Sequence, residues 1–249
     1  MPTRPRRRCS EVRLSRLHFV EATGSTNADL LADPNATEGD WLIALRQSAG
    51  RGRQGREWQS VEGNFAGSTL IRLRAGDPPP ATLALAAGLA LIEAADIAAP
   101  GLEYQLKWPN DLLLDGAKLG GILLERTRDR VVAGFGVNLA VAPTIEERAT
   151  ISLDGAVRPQ AFAPLLAASL ARLLSAWRGA DSAAFIEAWQ HRAHPIGTAI
   201  TVHSAPGQRL AGRYDGLAAD GALRLRLDDG RIEYVHAGDV NLANSPSAR

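Results

Sequence analysis

Short apolar or alternating stretches predict strands at Leu14 to Val20, Trp41 to Leu45, Asn64 to Leu73, Tyr104 to Lys107 and Val131 to Leu139. Leu112-Leu113-Leu114 and Leu119 to Glu125 flank Asp115-Gly116, a dipeptide that tolerates the positive φ of a primed turn, so this segment predicts a β-hairpin. Longer segments, Thr82 to Ala98, Ala161 to Trp177 and Ser182 to Arg192, predict helices. Ser25-Thr26-Asn27 ahead of Ala28-Asp29-Leu30-Leu31 predicts a further, capped helix start. The richest apolar run, Leu83 to Ala99, is broken by Gly88, Glu93 and Asp96 and predicts a core helix rather than a membrane span.

The texture changes after His194-Pro195-Ile196-Gly197. Four short alternating strands follow, Ala199 to His203, Arg209 to Tyr214, Ala222 to Leu227 and Arg231 to His236. Turns at Pro206-Gly207, Asp220-Gly221 and Asp229-Gly230 separate them, which predicts a small β-barrel. The expected division is a flexible basic tail over 1–13, one larger domain over 14–195 and the barrel over 196–249.

Composition changes this picture little. Hydrophobic content of 45% and charged content of 22% describe an ordinary globule, and a net charge of +1 gives no global reason to bind nucleic acid or membrane. The single cysteine, Cys9, cannot form an internal disulfide, which suits a reducing cytoplasm. No Cys/His zinc spacing is present. The start, Met1 to Arg8, is basic but lacks a signal-peptide core and reads as a solvated tail.

Charge type is more informative than net charge. The chain has 26 arginines and two lysines, and both lysines, Lys107 and Lys118, fall in one short segment. A compact ammonium fits a tight anionic site where a guanidinium fork does not. Upstream, Gly50-Arg51-Gly52-Arg53-Gln54-Gly55-Arg56 follows a strand. It matches G-x-G-x-x-G, but no apolar helix follows and no acid lies about twenty residues on, so a dinucleotide site is not indicated. Three glycines let backbone amides approach a ligand, and three arginines add cations, so the loop suits phosphate and a second anion. The plainer reading is a mobile surface loop with solvated arginines. No Walker A pattern occurs, so any ATP must be held without a P-loop.

Five segments occur in order: Ser25-Thr26-Asn27, the Gly50 to Trp58 loop, Lys107-Trp108-Pro109-Asn110-Asp111, Lys118-Leu119-Gly120-Gly121 through Glu125, and Gly134-Phe135-Gly136-Val137-Asn138. With them the chain resembles the biotin protein ligases from residue 14 to about 242. The resemblance implies an α/β (α+β) catalytic domain with a mixed sheet flanked by helices, then an SH3-like β-barrel. Only about 13 residues precede the first strand, too few for the helix-turn-helix of bifunctional members, so a monofunctional ligase is expected.

The implied chemistry has two steps. Biotin's carboxylate attacks the α-phosphorus of MgATP to give biotinyl-5′-AMP and pyrophosphate. A lysine amine of a biotin carboxyl carrier domain then takes the biotinyl group and AMP leaves. The resemblance assigns catalysis to Lys107, Arg51 and Arg53. It assigns biotin binding to Ser25, Thr26, Asn27, Gln47, Arg51, Gly52, Arg53, Lys107 and Gly120. Nucleotide binding falls to Arg51, Arg53, Arg56, Trp58, Asn110, Lys118 and Asn138, and Mg2+ to Asp111, where a turn role is the alternative. Plainer readings are helix capping for Ser25, strand-end polarity for Gln47, an exposed strand position for Lys118, and core for Trp58 and Trp108. Gln54 stands where the family commonly has a basic residue. Expected partners are a carboxylase carrier domain and no DNA or membrane, with a monomer or weak homodimer in the cytoplasm. Two rivals remain: a lipoate–protein ligase of related fold, and a non-enzymatic biotin-sensing regulator.

Overall fold

The computed structural model describes residues 15–145, 148–179, 182–205 and 208–242; the basic tail, Cys9 and the Pro206-Gly207 turn lie outside the described residues. Seven strands form one mixed sheet: β1 (Leu17–Thr23), β2 (Trp41–Gln47), β3 (Phe65–Arg72), β4 (Tyr104–Lys107), β5 (Asp111–Leu114), β6 (Ala117–Thr127) and β7 (Arg130–Val137). Their spatial order is β1-β2-β3-β7-β6-β5-β4. Only β1 and β2 pair in parallel, and α1 (Thr26–Ala32) lies in the crossover that a parallel connection requires. The remaining neighbours are antiparallel. Between β5 and β6 the turn is built on Asp115 (φ 51°) and Gly116 (φ 75°), the left-handed pair that a primed hairpin needs.

Two helices, α2 (Leu83–Ala98) and α3 (Pro159–Gly179), pack against each other, and α4 (Ser182–His191) touches α2. The α2 helix buries eleven of its sixteen residues, including Leu85, Ala90, Leu91 and Ile92, and its two acids, Glu93 and Asp96, pair with Arg172 and Arg192 at the edge. The stretch Pro80–Ala98 has the length and hydropathy of a membrane span, yet 67% of that window is buried inside the fold, as a core helix requires. The core runs from α2 through Trp41, Phe65, Leu112 and Leu119 of the sheet to Phe162 and Trp177 of α3.

A second, five-stranded antiparallel sheet contains β8 (Ala199–Ala205), β9 (Gln208–Leu217), β10 (Leu223–Arg226), β11 (Ile232–Val235) and β12 (Asp239–Leu242) in the order β11-β10-β9-β8-β12. The sequence pattern predicts the first four but not β12, in which Val240 pairs with Val202 and is buried. The second sheet joins the rest of the fold where Trp108 Nε1, between β4 and β5, donates to the Gly221 carbonyl at 3.1 Å and where Leu217 N–H donates to Gln190 Oε1 of α4 at 2.6 Å.

Candidate active site

A cavity of about 580 Å3 lies between the seven-stranded sheet, the Gly50 to Trp58 loop and the start of β12. At one end its polar groups are neutral and already oriented. Thr26 donates its backbone N–H to Gln47 Oε1 at 2.8 Å, and its hydroxyl lies 2.6 Å from Ser68 Oγ. Ser68 donates to Asn27 Oδ1 at 2.6 Å, while Asn27 Nδ2 donates to Glu125 Oε2 at 2.8 Å. Gly134 makes the arrangement possible, since a Cβ there would collide with the Asn27 amide. Ser25 accepts from Ala28 N–H at 3.4 Å, so it caps α1 and lines the cavity at once. Fixed donors and acceptors of this kind suit a neutral, planar, hydrogen-bonding ligand group.

The other end is cationic. Asp111, at the start of β5 and 6% exposed, accepts from Lys118 Nζ at 2.5 Å through Oδ1. Its Oδ2 faces Lys107 Nζ at 3.4 Å and Arg148 at 3.7 Å. Burial alone would raise the Asp111 carboxyl, but Lys118, Lys107 and Arg148 outweigh it and hold the group well below the usual carboxylate range. Burial draws the Lys107 ammonium below its ordinary value; Asp111 opposes this, and Arg148 and Lys118 add to it. Behind Lys107, burial and then the Lys107 charge push His194 down to about 4, so the imidazole is neutral. Strands carry Lys107, Asp111 and Lys118, and the Trp108-Pro109 peptide bond between β4 and β5 is cis.

The glycine–arginine loop closes over this end. Gly50 is required because a Cβ would stand 2.7 Å from the Trp58 carbonyl. Trp58 folds down onto Gly136, where any side chain would collide with the indole, and Lys118 Nζ lies 6.0 Å from the ring centroid. Arg53 donates to Asn110 Oδ1 at 3.4 Å and to the Gly238 carbonyl at 3.2 Å. Arg56 reaches Asp239 of β12 at 2.8 Å. The loop is thus held shut by the second sheet.

Most of the residues singled out in the sequence line this one cavity: Ser25, Thr26, Asn27, Gln47, the arginines 51, 53 and 56, Gly52, Trp58, Lys107, Asn110, Asp111, Lys118 and Asn138. Two expectations need correction. Gly120 does not line the cavity; a Cβ on it would lie 2.8 Å from the Gly136 carbonyl, so it permits strand pairing, and its neighbour Gly121, opposite Asp111 in the β5–β6 register, lines it instead. Asp111 faces three cations with its two oxygens, which makes it their counter-ion rather than a ready Mg2+ ligand. Among the described residues no group of three or more His, Cys, Asp or Glu side chains could hold a metal ion. The plainer alternative for Lys118, an exposed strand position, does not hold, since its side chain lines the cavity and is only 13% exposed.

Other placements refine the picture. Asn138 donates to the Ile151 carbonyl at 3.2 Å and ties β7 to the segment before α3. Trp108 is core at the junction of the two sheets. The sequence reading missed Ser68, Glu125, Arg148 and Asp239. The first two are recognisable only through hydrogen bonds between distant segments, Arg148 sits in a charged stretch that reads as solvated, and Asp239 follows a glycine and reads as a turn residue.

Comparison with known proteins gives a consistent result. Residues 18–141 match the biotin/lipoate A/B protein ligase family, and residues 196–242 match the biotin protein ligase C-terminal domain. A biotin–[acetyl-CoA-carboxylase] ligase of Paracoccus denitrificans is 39% identical over 238 residues, covering 89% of this chain and 98% of that protein. One from Mycobacterium tuberculosis is 38% identical over 240 residues, covering 90% and 88%. Among solved structures, the biotin protein ligase of Aquifex aeolicus in complex with biotin and ATP superposes with a TM-score of 0.81 at 23% identity, covering 92% of this chain and 99% of that one.

Proposed function

Since this chain belongs to the biotin protein ligases of the biotin/lipoate A/B protein ligase family, we propose that its cavity makes biotinyl-5′-AMP and passes the biotinyl group to a carrier lysine. In the first step a biotin carboxylate oxygen attacks the α-phosphorus of ATP, the bond to the bridging oxygen breaks, and pyrophosphate leaves. In the second, the ε-amine of a lysine on a carboxylase's carrier domain attacks the acyl carbon. The C–O bond to the phosphate breaks, AMP leaves and an amide remains. Mg2+ enters with ATP as part of the substrate. With its single cysteine, the chain suits a reducing cytoplasm.

The observation that carries this reading is the polarity of the cavity. Thr26, Gln47 and Asn27 form a neutral hydrogen-bonding end suited to a ureido ring. Lys107, Lys118, Arg51 and Arg53 supply a cationic end suited to a carboxylate beside a phosphate. Lys107 is deep enough for its charge to act in low dielectric, where negative charge builds on the reacting oxygens in both steps. Trp58 and Arg56 cover the nucleotide, and the latched loop keeps water from the mixed anhydride.

Thermal denaturation with ligands tests the reading. Biotin alone should raise the melting temperature, and biotin with MgATP should raise it much further, because a tightly held adenylate binds only the folded state. Equal shifts with lipoate and biotin would transfer the assignment to lipoate ligation.

A further inference from the structure

The charge count around Asp111 does not close. Three cations, Lys107, Lys118 and Arg148, surround one carboxylate, which leaves two positive charges in excess at the end of the cavity. Lys118 takes one carboxylate oxygen at hydrogen-bond distance. Arg148 lies 3.7 Å from the other, an ion-pair distance beyond hydrogen-bond reach, so Asp111 does not consume its donor fork. Of the three cations Arg148 is the most open, with 25% of its side chain exposed against 13% for each lysine. All three line the cavity.

The residues that directly follow Arg148 are well anchored. Lys118 N–H donates to the Ala149 carbonyl at 2.9 Å, Ile151 N–H donates back to the Lys118 carbonyl at 3.1 Å, and Thr150 Oγ1 donates to the Pro143 carbonyl at 2.6 Å. The segment therefore runs beside β6 as a parallel bridge, with Thr150 opposite Lys118. Such anchoring presets the approach of the guanidinium, and a planar fork suits two oxygens of a phosphate group where an ammonium supplies a point charge.

From this layout the geometry points to Arg148 as the residue that binds the two outer phosphates of ATP and the departing pyrophosphate. Lys107, deeper and at the end of β4 opposite Asp111 of β5, stays with the reacting α-phosphate. This assignment rests on the ligase reading above and adds a division of labour to it: the excess charge at Arg148 serves the first step only, because biotinyl-5′-AMP carries no outer phosphates.

The test compares wild type with Arg148→Met and Arg148→Lys in separated half-reactions. In adenylate formation, Arg148→Met should raise the KM for ATP roughly ten- to a hundredfold and weaken inhibition by pyrophosphate in proportion, as expected for loss of a charged hydrogen-bonding group. The KM for biotin should stay at the wild-type value. Transfer from preformed biotinyl-5′-AMP to the carrier lysine should proceed at the wild-type rate, and Arg148→Lys should recover part of the ATP affinity. Biotin alone should raise the melting temperature of both variants as it does for wild type, which checks the fold.

An unchanged KM for ATP in Arg148→Met would overturn the assignment. Equal slowing of both half-reactions would also overturn it, because Arg148 would then act by bracing Asp111. A wild-type protein that forms no adenylate would overturn the ligase reading and this assignment together.

Discussion

The cluster around Asp111 and the loop from Gly50 to Trp58 bring cations to the same cavity, but they are held in different ways. Lys107, Lys118 and Asp111 sit on or beside paired strands, and their side chains are 13%, 13% and 6% exposed. The arginines of the loop lie on a segment with little apolar anchoring, fixed by Asp239, Asn110 and the Gly238 carbonyl, and Arg56 is 46% exposed. The first region is preorganised before any ligand arrives, whereas the second depends on ion pairs that solvent and salt can reach. We read the first as the place where chemistry is accelerated and the second as the cover that retains the intermediate.

The sharpest way to break this contrast is at Asp111. Asp111→Ala should lower stability by about 3–5 kcal/mol, because it leaves buried cations without their counter-charge. Asp239→Asn, which removes a partner of the more exposed Arg56, should cost about 1 kcal/mol or less. Urea unfolding of both variants checks this, and equal losses would erase the distinction.

Catalysis offers the next test. Lys107→Ala should slow adenylate formation under single turnover by about 2.7–4 kcal/mol in barrier, the usual effect of removing one preorganised charge donor. Lys107→Arg keeps the charge but misplaces it, and should slow the step about a hundredfold. Since Lys118 is packed against Asp111 and beneath Trp58, Lys118→Arg should also be impaired. Wild-type rates in Lys107→Arg would assign the role to Arg51 or Arg53.

A smaller effect is expected at the latch. Asp239→Asn should increase the release of free biotinyl-5′-AMP by about two- to fivefold, as the loss of one partly exposed ion pair allows, with little change in the rate of its formation. Filtration of enzyme from free adenylate measures the ratio. Arg53→Gly should show the same bias toward release, and an unchanged ratio in both variants would remove the latch from the account.

The two regions also differ in how far they could be read from the sequence. Lys107 and Lys118 stand out against 26 arginines, and the glycine spacing of the loop announces an anion site, because residue type alone carries that chemistry. The strands of the seven-stranded sheet and three of the helices follow from apolar pattern, and α1 from its capping residues, with ends displaced by up to three residues, as at β1, which starts at Leu17. Pairing was not legible. Gly120 and Gly121 are equivalent in the sequence until the β5–β6 register sets Gly121 opposite Asp111. Arg148 follows two glutamates and looks like part of a solvated charge run until its segment is seen beside β6. Asp239 resembles a turn residue until β12 pairs with β8.

The gentlest probe is pH. His194 has an ordinary value of 6.5 and falls to about 4 in the folded protein, because burial and Lys107 disfavour its charged form. Between those values the unfolded chain binds the extra proton, so the stability tied to neutral His194 is present above pH 6.5 and is lost as pH falls toward 4. His194→Phe should flatten that slope in unfolding midpoints measured across the window. Asp111 contributes separately below its ordinary value of 3.8, where its protonation releases the cations around it. A wild-type midpoint that does not vary between pH 6.5 and 4 would argue against a buried neutral imidazole.

The central claim, that this cavity activates biotin and delivers it to a lysine, is tested most directly by one single-turnover incubation. Enzyme in excess is mixed with biotin and MgATP, sampled for biotinyl-5′-AMP, and then given a carrier domain. The account predicts enzyme-bound biotinyl-5′-AMP with stoichiometric pyrophosphate, followed by AMP and one biotinylated carrier lysine. Pyrophosphate release without an adenylate, or an adenylate that the carrier cannot discharge, would contradict it.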